Sequence, residues 1–83
     1  MAVTFRIMPV DVEADLDEIK EGLEAAFGSD LREVVQVPVA FGLSALETIV
    51  LLDDVGGQME ESERCIKILK GVSSVETLSV DLL

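Results

Sequence analysis

Residues 31–52, LREVVQVPVAFGLSALETIVLL, decide the fold of this chain. The valine-rich run at 31–39 and the apolar run at 45–52 are both typical of β-strands. Phe41-Gly42-Leu43-Ser44 lies between them and includes a turn-forming glycine, so the two runs predict a β-hairpin. Pro38 has no backbone N–H to donate to a neighbouring strand, and we therefore expect the first of these strands at the edge of its sheet.

The segment before the hairpin predicts a strand followed by a helix. Residues 3–8 alternate apolar and polar side chains with the two-residue period of a half-buried strand. Residues 16–27 place apolar side chains at helical spacing, after a candidate capping residue at Asp15 and before a natural stop at Gly28. Gly22 is unfavourable inside this helix, since a glycine there costs about 1 kcal/mol relative to alanine.

The segment after the hairpin predicts a loop, a second helix and a last strand. Residues 53–57 have the composition of a loop, and residues 58–70 follow a helical period that ends at Gly71. Residues 75–82 alternate like a strand. Three apolar side chains of this strand are expected to share one face: Leu78, Val80 and Leu82. Three polar side chains are expected on the other face: Thr77, Ser79 and Asp81.

The order β-α-β-β-α-β predicts an α+β domain with the ferredoxin-like arrangement. Right-handed crossovers place the first and third strands at the centre of a four-stranded antiparallel sheet and the other two at its edges. Both helices then cover one face of the sheet. Ile49 and Leu51 are expected to emerge on the uncovered face, beside Thr4, Arg6 and Glu47.

The composition limits the classes of function. A chain of 83 residues is long enough for one core and too short for two, so residues 1–83 are expected to form a single domain. No apolar run reaches the roughly 18 residues that cross a bilayer, and no secretory signal is recognisable, so a cytoplasmic protein is expected. The net charge of -11 would repel phosphate backbones and anionic membrane surfaces. We therefore expect neither nucleic acid nor a membrane as a partner.

The side chains that carry most enzyme chemistry are absent from the sequence. It contains no histidine, the commonest general base and metal ligand, and its single cysteine, Cys65, is expected to be a small core residue. The alternating acids at 11–17 lack the glycine and glutamate of a calcium loop, and Gly56-Gly57 is too short for a phosphate cradle. We expect no catalytic residue, no metal site, no cofactor and no enzyme activity.

Phe41 is the candidate contact residue. It is an aromatic residue between Ala40 and Gly42 at the expected tip of the hairpin, where an apolar side chain is unfavourable unless something covers it. The alternative is that Phe41 folds back over the end of its own core.

Five segments of the chain carry a resemblance to a known family: Met8-Pro9, Asp15-Leu16, residues 37–46, residues 53–57 and residues 71–75. Together they resemble translation elongation factor 1-beta, especially its short archaeal form. The match spans essentially the whole chain, and the Pro-Val-Ala-Phe-Gly-Leu sequence within residues 37–46 is its most specific part.

The resemblance implies a ferredoxin-like guanine-nucleotide exchange factor that promotes GDP release and GTP reloading on the GTPase elongation factor 1-alpha. It implies six contact residues, in the hairpin and at the C-terminus: Ala40, Phe41, Gly42, Leu43, Leu82 and Leu83. Eukaryotic members place a lysine near the C-terminus into the magnesium site of the GTPase. This chain has no basic residue in Asp81-Leu82-Leu83, so nucleotide displacement is expected to depend on steric or backbone effects.

A second class of function stays open at this stage. Ferredoxin-like domains often pair through open sheet faces or edges and bind metabolites between protomers. Ile49 and Leu51 on the uncovered face favour such a small-molecule-binding or regulatory oligomerisation module. The exchange-factor interpretation instead favours a monomer that binds a GTPase.

Overall fold

The computed structural model describes residues 1–53 and 57–82. These residues form four strands and two helices: β1 (Ala2–Pro9), α1 (Leu16–Phe27), β2 (Leu31–Pro38), β3 (Ser44–Leu51), α2 (Gln58–Lys67) and β4 (Val72–Asp81). A short 3-10 turn, Gly28–Asp30, joins α1 to β2. The predicted order of elements is confirmed. Residues 54–56, which belong to the predicted loop, lie outside the described residues, as does Leu83.

The four strands form one antiparallel sheet in the order β2-β3-β1-β4. The predicted ferredoxin-like arrangement is therefore confirmed, with β1 and β3 at the centre and β2 and β4 at the edges. Pro38 is the last residue of the edge strand β2, where its missing N–H removes no bond from the centre of the sheet.

One face of the sheet carries the hydrophobic core. Val3, Phe5 and Ile7 of β1 are buried there. Val50 of β3 lies opposite Val3, and Leu46 lies opposite Ile7. The helices add three further buried apolar side chains: Ile19, Leu23 and Ile66. Because each side chain of this size stabilises the fold by about 1.5–3 kcal/mol when buried, this layer holds both helices against the same face.

The opposite face of the sheet carries an ion pair between its two central strands. Nη2 of Arg6 and Oε2 of Glu47 lie 2.8 Å apart, at directly paired positions. Ile49, which pairs with Thr4, and Leu51 lie on the same face and are only partly buried. The predicted content of the uncovered face is confirmed.

The connection from α2 to β4 differs from its predicted position. α2 ends at Lys67 rather than at residue 70, and β4 begins at Val72 rather than at residue 75. Val72 pairs with Pro9 of β1, and the carbonyl of Gly71 accepts the N–H of Val10 at 2.9 Å. These contacts with β1 extend β4 toward the helix, which local sequence patterns cannot indicate.

A β-bulge in β4 makes one predicted pattern wrong. Leu78 has no partner on β1 in the described sheet, whereas Thr77 lies opposite the buried Phe5. The extra residue interrupts the alternation of faces. Thr77 consequently lies on the helix side, where its Oγ1 donates to Oε1 of Glu63 at 2.8 Å. The expected separation of Leu78, Val80 and Leu82 from Thr77, Ser79 and Asp81 therefore fails at Thr77 and Leu78. It holds for Val80, which lies opposite the buried Val3, against Ser79 and Asp81, which lie opposite Thr4 and Ala2.

Gly22 has a packing role inside α1. A Cβ at this position would lie 2.9 Å from Cδ2 of Leu69, which follows α2. The absence of a side chain therefore allows Leu69 to approach the backbone of α1 closely. This packing offsets the weak helix propensity that made Gly22 unfavourable in the sequence.

Replacing Thr48 tests a side-chain hydrogen bond that links β3 to β2. Thr48 is buried, and its Oγ1 donates to the carbonyl of Glu33 at 2.8 Å, beside an irregularity in the β2–β3 pairing. We expect Thr48→Val to lower the free energy of unfolding by about 1 kcal/mol, because this hydrogen bond is lost while the shape is kept. Urea unfolding followed by circular dichroism measures the change. The control Thr4→Val lies on the open face; an equal loss there would contradict the assignment.

Candidate protein-binding site

The turn between β2 and β3 consists of residues 40–43. The N–H of Leu43 donates to the carbonyl of Ala40 at 3.1 Å, and the two central residues, Phe41 and Gly42, have φ angles of 58° and 77°. Positive φ at both central positions is typical of the type I′ turn, whose twist matches that of the flanking strands. The turn begins one residue earlier than predicted, so Phe41 occupies its first central position.

Phe41 is held in a backbone conformation that phenylalanine disfavours. Among the described residues it is the only non-glycine with positive φ. The left-handed conformation costs an ordinary L-residue about 1–2 kcal/mol. Phe41 is also 95% exposed, which excludes the alternative in which it folds back over its own core. The backbone strain and the exposed ring add nothing to the stability of the isolated domain, which makes Phe41 a candidate contact residue.

The loop between β1 and α1 adds apolar surface beside this turn. Val12 is 63% exposed, and its Cγ1 lies 3.9 Å from where a Cβ on Gly42 would be. Val10, at the start of the loop, is also exposed. We call Phe41, Gly42, Val12 and Val10 the apical surface. Sequence reasoning missed both valines, although their alternation with acids in a loop is a signal that could have indicated them.

The acids of the same loop act locally. Oδ1 of Asp15 accepts the N–H groups of Asp17 and Glu18 at 3.0 and 3.2 Å, which confirms the predicted N-cap of α1. Oδ1 of Asp11 accepts a backbone N–H two residues further along at 2.9 Å. Across residues 1–53 and 57–82, no group of three metal-ligating side chains is brought together. These carboxylates therefore shape the loop that supports the apical surface.

The C-terminal end of β4 lies at the opposite end of the sheet from the hairpin turn. β3 begins at Ser44, directly after the turn, and ends at Leu51. Ala2 pairs with both Leu51 and Asp81, so the end of β4 is level with the end of β3. The seven residue steps from Ser44 to Leu51 span about 23 Å at the usual rise of a strand.

The implied contact residues consequently do not form one patch. Four of them lie at the hairpin turn: Ala40, Phe41, Gly42 and Leu43. The first three are exposed, and Leu43 is partly buried. Leu82 is 77% exposed at the far end of the sheet, and Leu83 lies outside the described residues. A partner that contacts both groups has to extend along the domain, whose longest dimension is 36 Å.

An asparagine at position 41 should relax the turn. Asn-Gly is a preferred pair for a type I′ turn because asparagine tolerates positive φ. We expect Phe41→Asn to raise the free energy of unfolding by about 1 kcal/mol. Chemical denaturation measures the change against Phe41→Ala, which removes the ring but keeps most of the backbone strain. A lower stability for Phe41→Asn than for Phe41→Ala would show that the turn carries no such strain.

Comparison with known proteins places the chain among translation factors. Residues 2–83 match the family model described as "EF-1 guanine nucleotide exchange domain". Elongation factor 1-beta of Methanococcoides burtonii is 41% identical, and the alignment covers 92% of this chain and 88% of that protein. Elongation factor 1-beta of Methanosarcina barkeri is 35% identical, with 96% and 93% covered. That of Methanothermobacter thermautotrophicus is 30% identical, with 96% and 92% covered.

A solved structure shares the fold. The ACT domain from GTP pyrophosphokinase of Chlorobium tepidum superimposes with a TM-score of 0.65, covering 94% of this chain and 97% of that one. The two sequences are 16% identical. This likeness supports the ferredoxin-like arrangement and carries no argument about function.

Proposed function

The chain belongs to the EF-1 guanine nucleotide exchange domain family, and we propose that it promotes GDP release and GTP reloading on elongation factor 1-alpha through the apical surface. The family match over residues 2–83 supports the activity. The observation that supports the site is the state of Phe41: its backbone is strained by a positive φ, and its side chain is almost fully exposed. Its neighbours Ala40, Gly42 and Leu43 position the ring and form the rest of the hairpin contact.

An exchange factor acts by differential binding. It binds the nucleotide-free GTPase more tightly than the loaded one, and by reciprocity GDP binds the complex less tightly than it binds the free GTPase. Each tenfold loss of GDP affinity requires about 1.4 kcal/mol of this coupling. No bond of the nucleotide is broken. The chain therefore acts without catalytic residues, without a cofactor and without enzyme chemistry of its own.

The geometry of Phe41 suits this task. Burying a phenylalanine side chain contributes about 1.5–3 kcal/mol, which corresponds to one or two powers of ten in affinity. The turn directs Phe41 away from the sheet before the partner arrives, so the backbone of the hairpin loses little conformational freedom on binding. The strain stored in the turn is thus compatible with a preorganised contact.

The C-terminal residues form a second proposed contact. Leu82 is exposed about 23 Å from the hairpin turn along the sheet, and Leu83 follows it outside the described residues. Asp81-Leu82-Leu83 contains no basic residue, so this contact would disturb the nucleotide site by steric or backbone effects rather than by a lysine. The GTPase would then hold the domain at both ends of its sheet.

The setting of the protein follows from this function. We place it in the cytoplasm, where translation takes place, as a single domain of residues 1–83 that acts as a monomer. Neither nucleic acid nor a membrane is a proposed partner. In the part of the chain that the structure describes, no helix is long and apolar enough to cross a membrane.

The alternative, a small-molecule-binding or oligomerisation module, rests on the open sheet face. Ile49 and Leu51 are partly exposed there, as such an interface requires. The ion pair of Arg6 with Glu47 lies at the centre of the same face, however, at paired positions of the two central strands. Covering this pair with a second sheet would require the desolvation of two charges, which disfavours pairing through this face.

Removing the ring of Phe41 tests the proposed site. We expect Phe41→Ala to slow the factor-dependent release of fluorescent GDP from elongation factor 1-alpha by about tenfold or more, because the buried apolar contact is lost. Its thermal stability should stay close to that of the original chain. Val35→Ala is the matched control, since Val35 is an exposed apolar residue on the sheet rather than at the turn. Unchanged release with Phe41→Ala would remove the hairpin from the site.

A further inference from the structure

Half of the six basic residues of the chain are concentrated at the end of α2. Arg64, Lys67 and Lys70 fall within seven positions and are all exposed, in a chain with a net charge of -11. Within residues 1–53 and 57–82, none of the three takes part in an ion pair. The helix dipole favours cations in the last turn of α2. It does not account for Lys70, which lies beyond the helix.

Ile68 adds an apolar side chain to this cluster. It is the C-cap residue of α2 and is 82% exposed. Arg64 lies four positions before it, which makes the two side chains neighbours on the helix surface. An exposed isoleucine between cations contributes nothing to the stability of the helix end. We call Arg64, Lys67, Ile68 and Lys70 the basic ridge.

A groove of about 370 Å³ runs beside the basic ridge, between α2 and β4. Its lining includes Arg64 and Lys67 from the ridge and Ser74 and Val75 from β4. Glu60 and Glu63 also line the groove, and one carboxylate oxygen of Glu63 already accepts the hydroxyl of Thr77 at 2.8 Å. The groove therefore combines two cations, two carboxylates, a hydroxyl group and an apolar side chain, and its cations belong to the basic ridge.

The basic ridge and the apical surface lie at the same end of the domain. Gly71 directly follows Lys70, and its carbonyl accepts the N–H of Val10 at 2.9 Å. Val10 begins the loop whose Val12 lies beside Gly42 of the hairpin turn. A molecule that covers the hairpin turn therefore approaches the same end of the sheet at which the cations are concentrated.

We propose that the basic ridge binds an acidic surface of the GTPase on which the apical surface acts. This inference rests on the proposed function and adds a contact to those of the hairpin turn and the C-terminal residues. Three cations around an isoleucine complement carboxylates that surround an apolar side chain. A nucleic acid fits less well, because its phosphates form an extended line of charge that the 17 acidic residues of the chain repel beyond the ridge, whereas a local group of carboxylates faces the ridge alone. Charged contacts at the rim of an interface govern orientation and association rate, so the ridge directs the hairpin turn toward the GTPase.

Two double charge reversals test the inference. Arg64→Glu/Lys67→Glu alters the ridge, and the control Lys20→Glu/Arg32→Glu changes the net charge equally, on α1 and β2. Release of fluorescent GDP from elongation factor 1-alpha is measured against the concentration of each variant, at about 50 mM and about 300 mM KCl. We expect the ridge variant to need about tenfold more protein for half-maximal release at low salt, with an unchanged maximal rate. For the control, this half-maximal concentration should rise about twofold at most. High salt should narrow the difference between the ridge variant and the original chain, because salt screens the charges.

A milder variant separates the loss of positive charge on the ridge from a loss of helix stability. Glutamates near a helix C-terminus can weaken α2, so Arg64→Gln/Lys67→Gln is measured as well and should shift release in the same direction.

Equal shifts in ridge and control variants would overturn the inference, because net charge would then explain both. An unaffected ridge variant beside a slowed Phe41→Ala would also overturn it, while the proposed function stands. No acceleration of release by the original chain would instead end the proposed function. Ridge-dependent binding of a labelled RNA oligonucleotide would assign the ridge to nucleic acid and overturn the inference.

Discussion

The antiparallel pairing of β1 with β3 is the interaction on which the rest of this domain depends. Its register places Phe5 opposite Thr48 on the face that the helices cover, and Arg6 opposite Glu47 on the other face. A shift of β1 by one residue would break this ion pair, turn Arg6 toward the core and expose the apolar side chains of β1. The same register fixes where β3 begins at Ser44, and hence how far the hairpin turn projects beyond the sheet.

The projecting turn shows how function and stability oppose each other at one position. The paired strands β2 and β3 impose a type I′ geometry, which Gly42 adopts readily and Phe41 does not. Stability alone would favour a small polar residue at position 41, and a large aromatic there stabilises nothing within the chain. Binding to a partner is the process that can offset this strain, so the turn is better suited to a complex than to an isolated domain.

Much of the fold could be predicted because alternation and helical spacing are local properties of the sequence. The bulge at Leu78 could not, because residues 77–82 alternate between polar and apolar and only the pairing with β1 shows that Leu78 has no partner. Phe41 could be identified as an aromatic residue beside a turn glycine, whereas its strain depends on a turn that begins one residue earlier than expected. Val12 was missed because its acidic neighbours resemble a solvated loop. The distance of Leu82 from the hairpin follows from strand directions and not from the resemblance.

Coverage of the Phe41 ring by a partner can be measured directly because the chain has only three phenylalanines and neither tryptophan nor tyrosine. A chain labelled with 4-fluorophenylalanine gives three fluorine resonances, from the buried Phe5, the partly buried Phe27 and the exposed Phe41. An exposed fluorine shifts between H2O and D2O, and a covered one does not. We predict that nucleotide-free elongation factor 1-alpha abolishes this solvent shift at Phe41 and leaves Phe5 unchanged. A complex in which all three resonances broaden while Phe41 keeps its solvent shift would contradict the account.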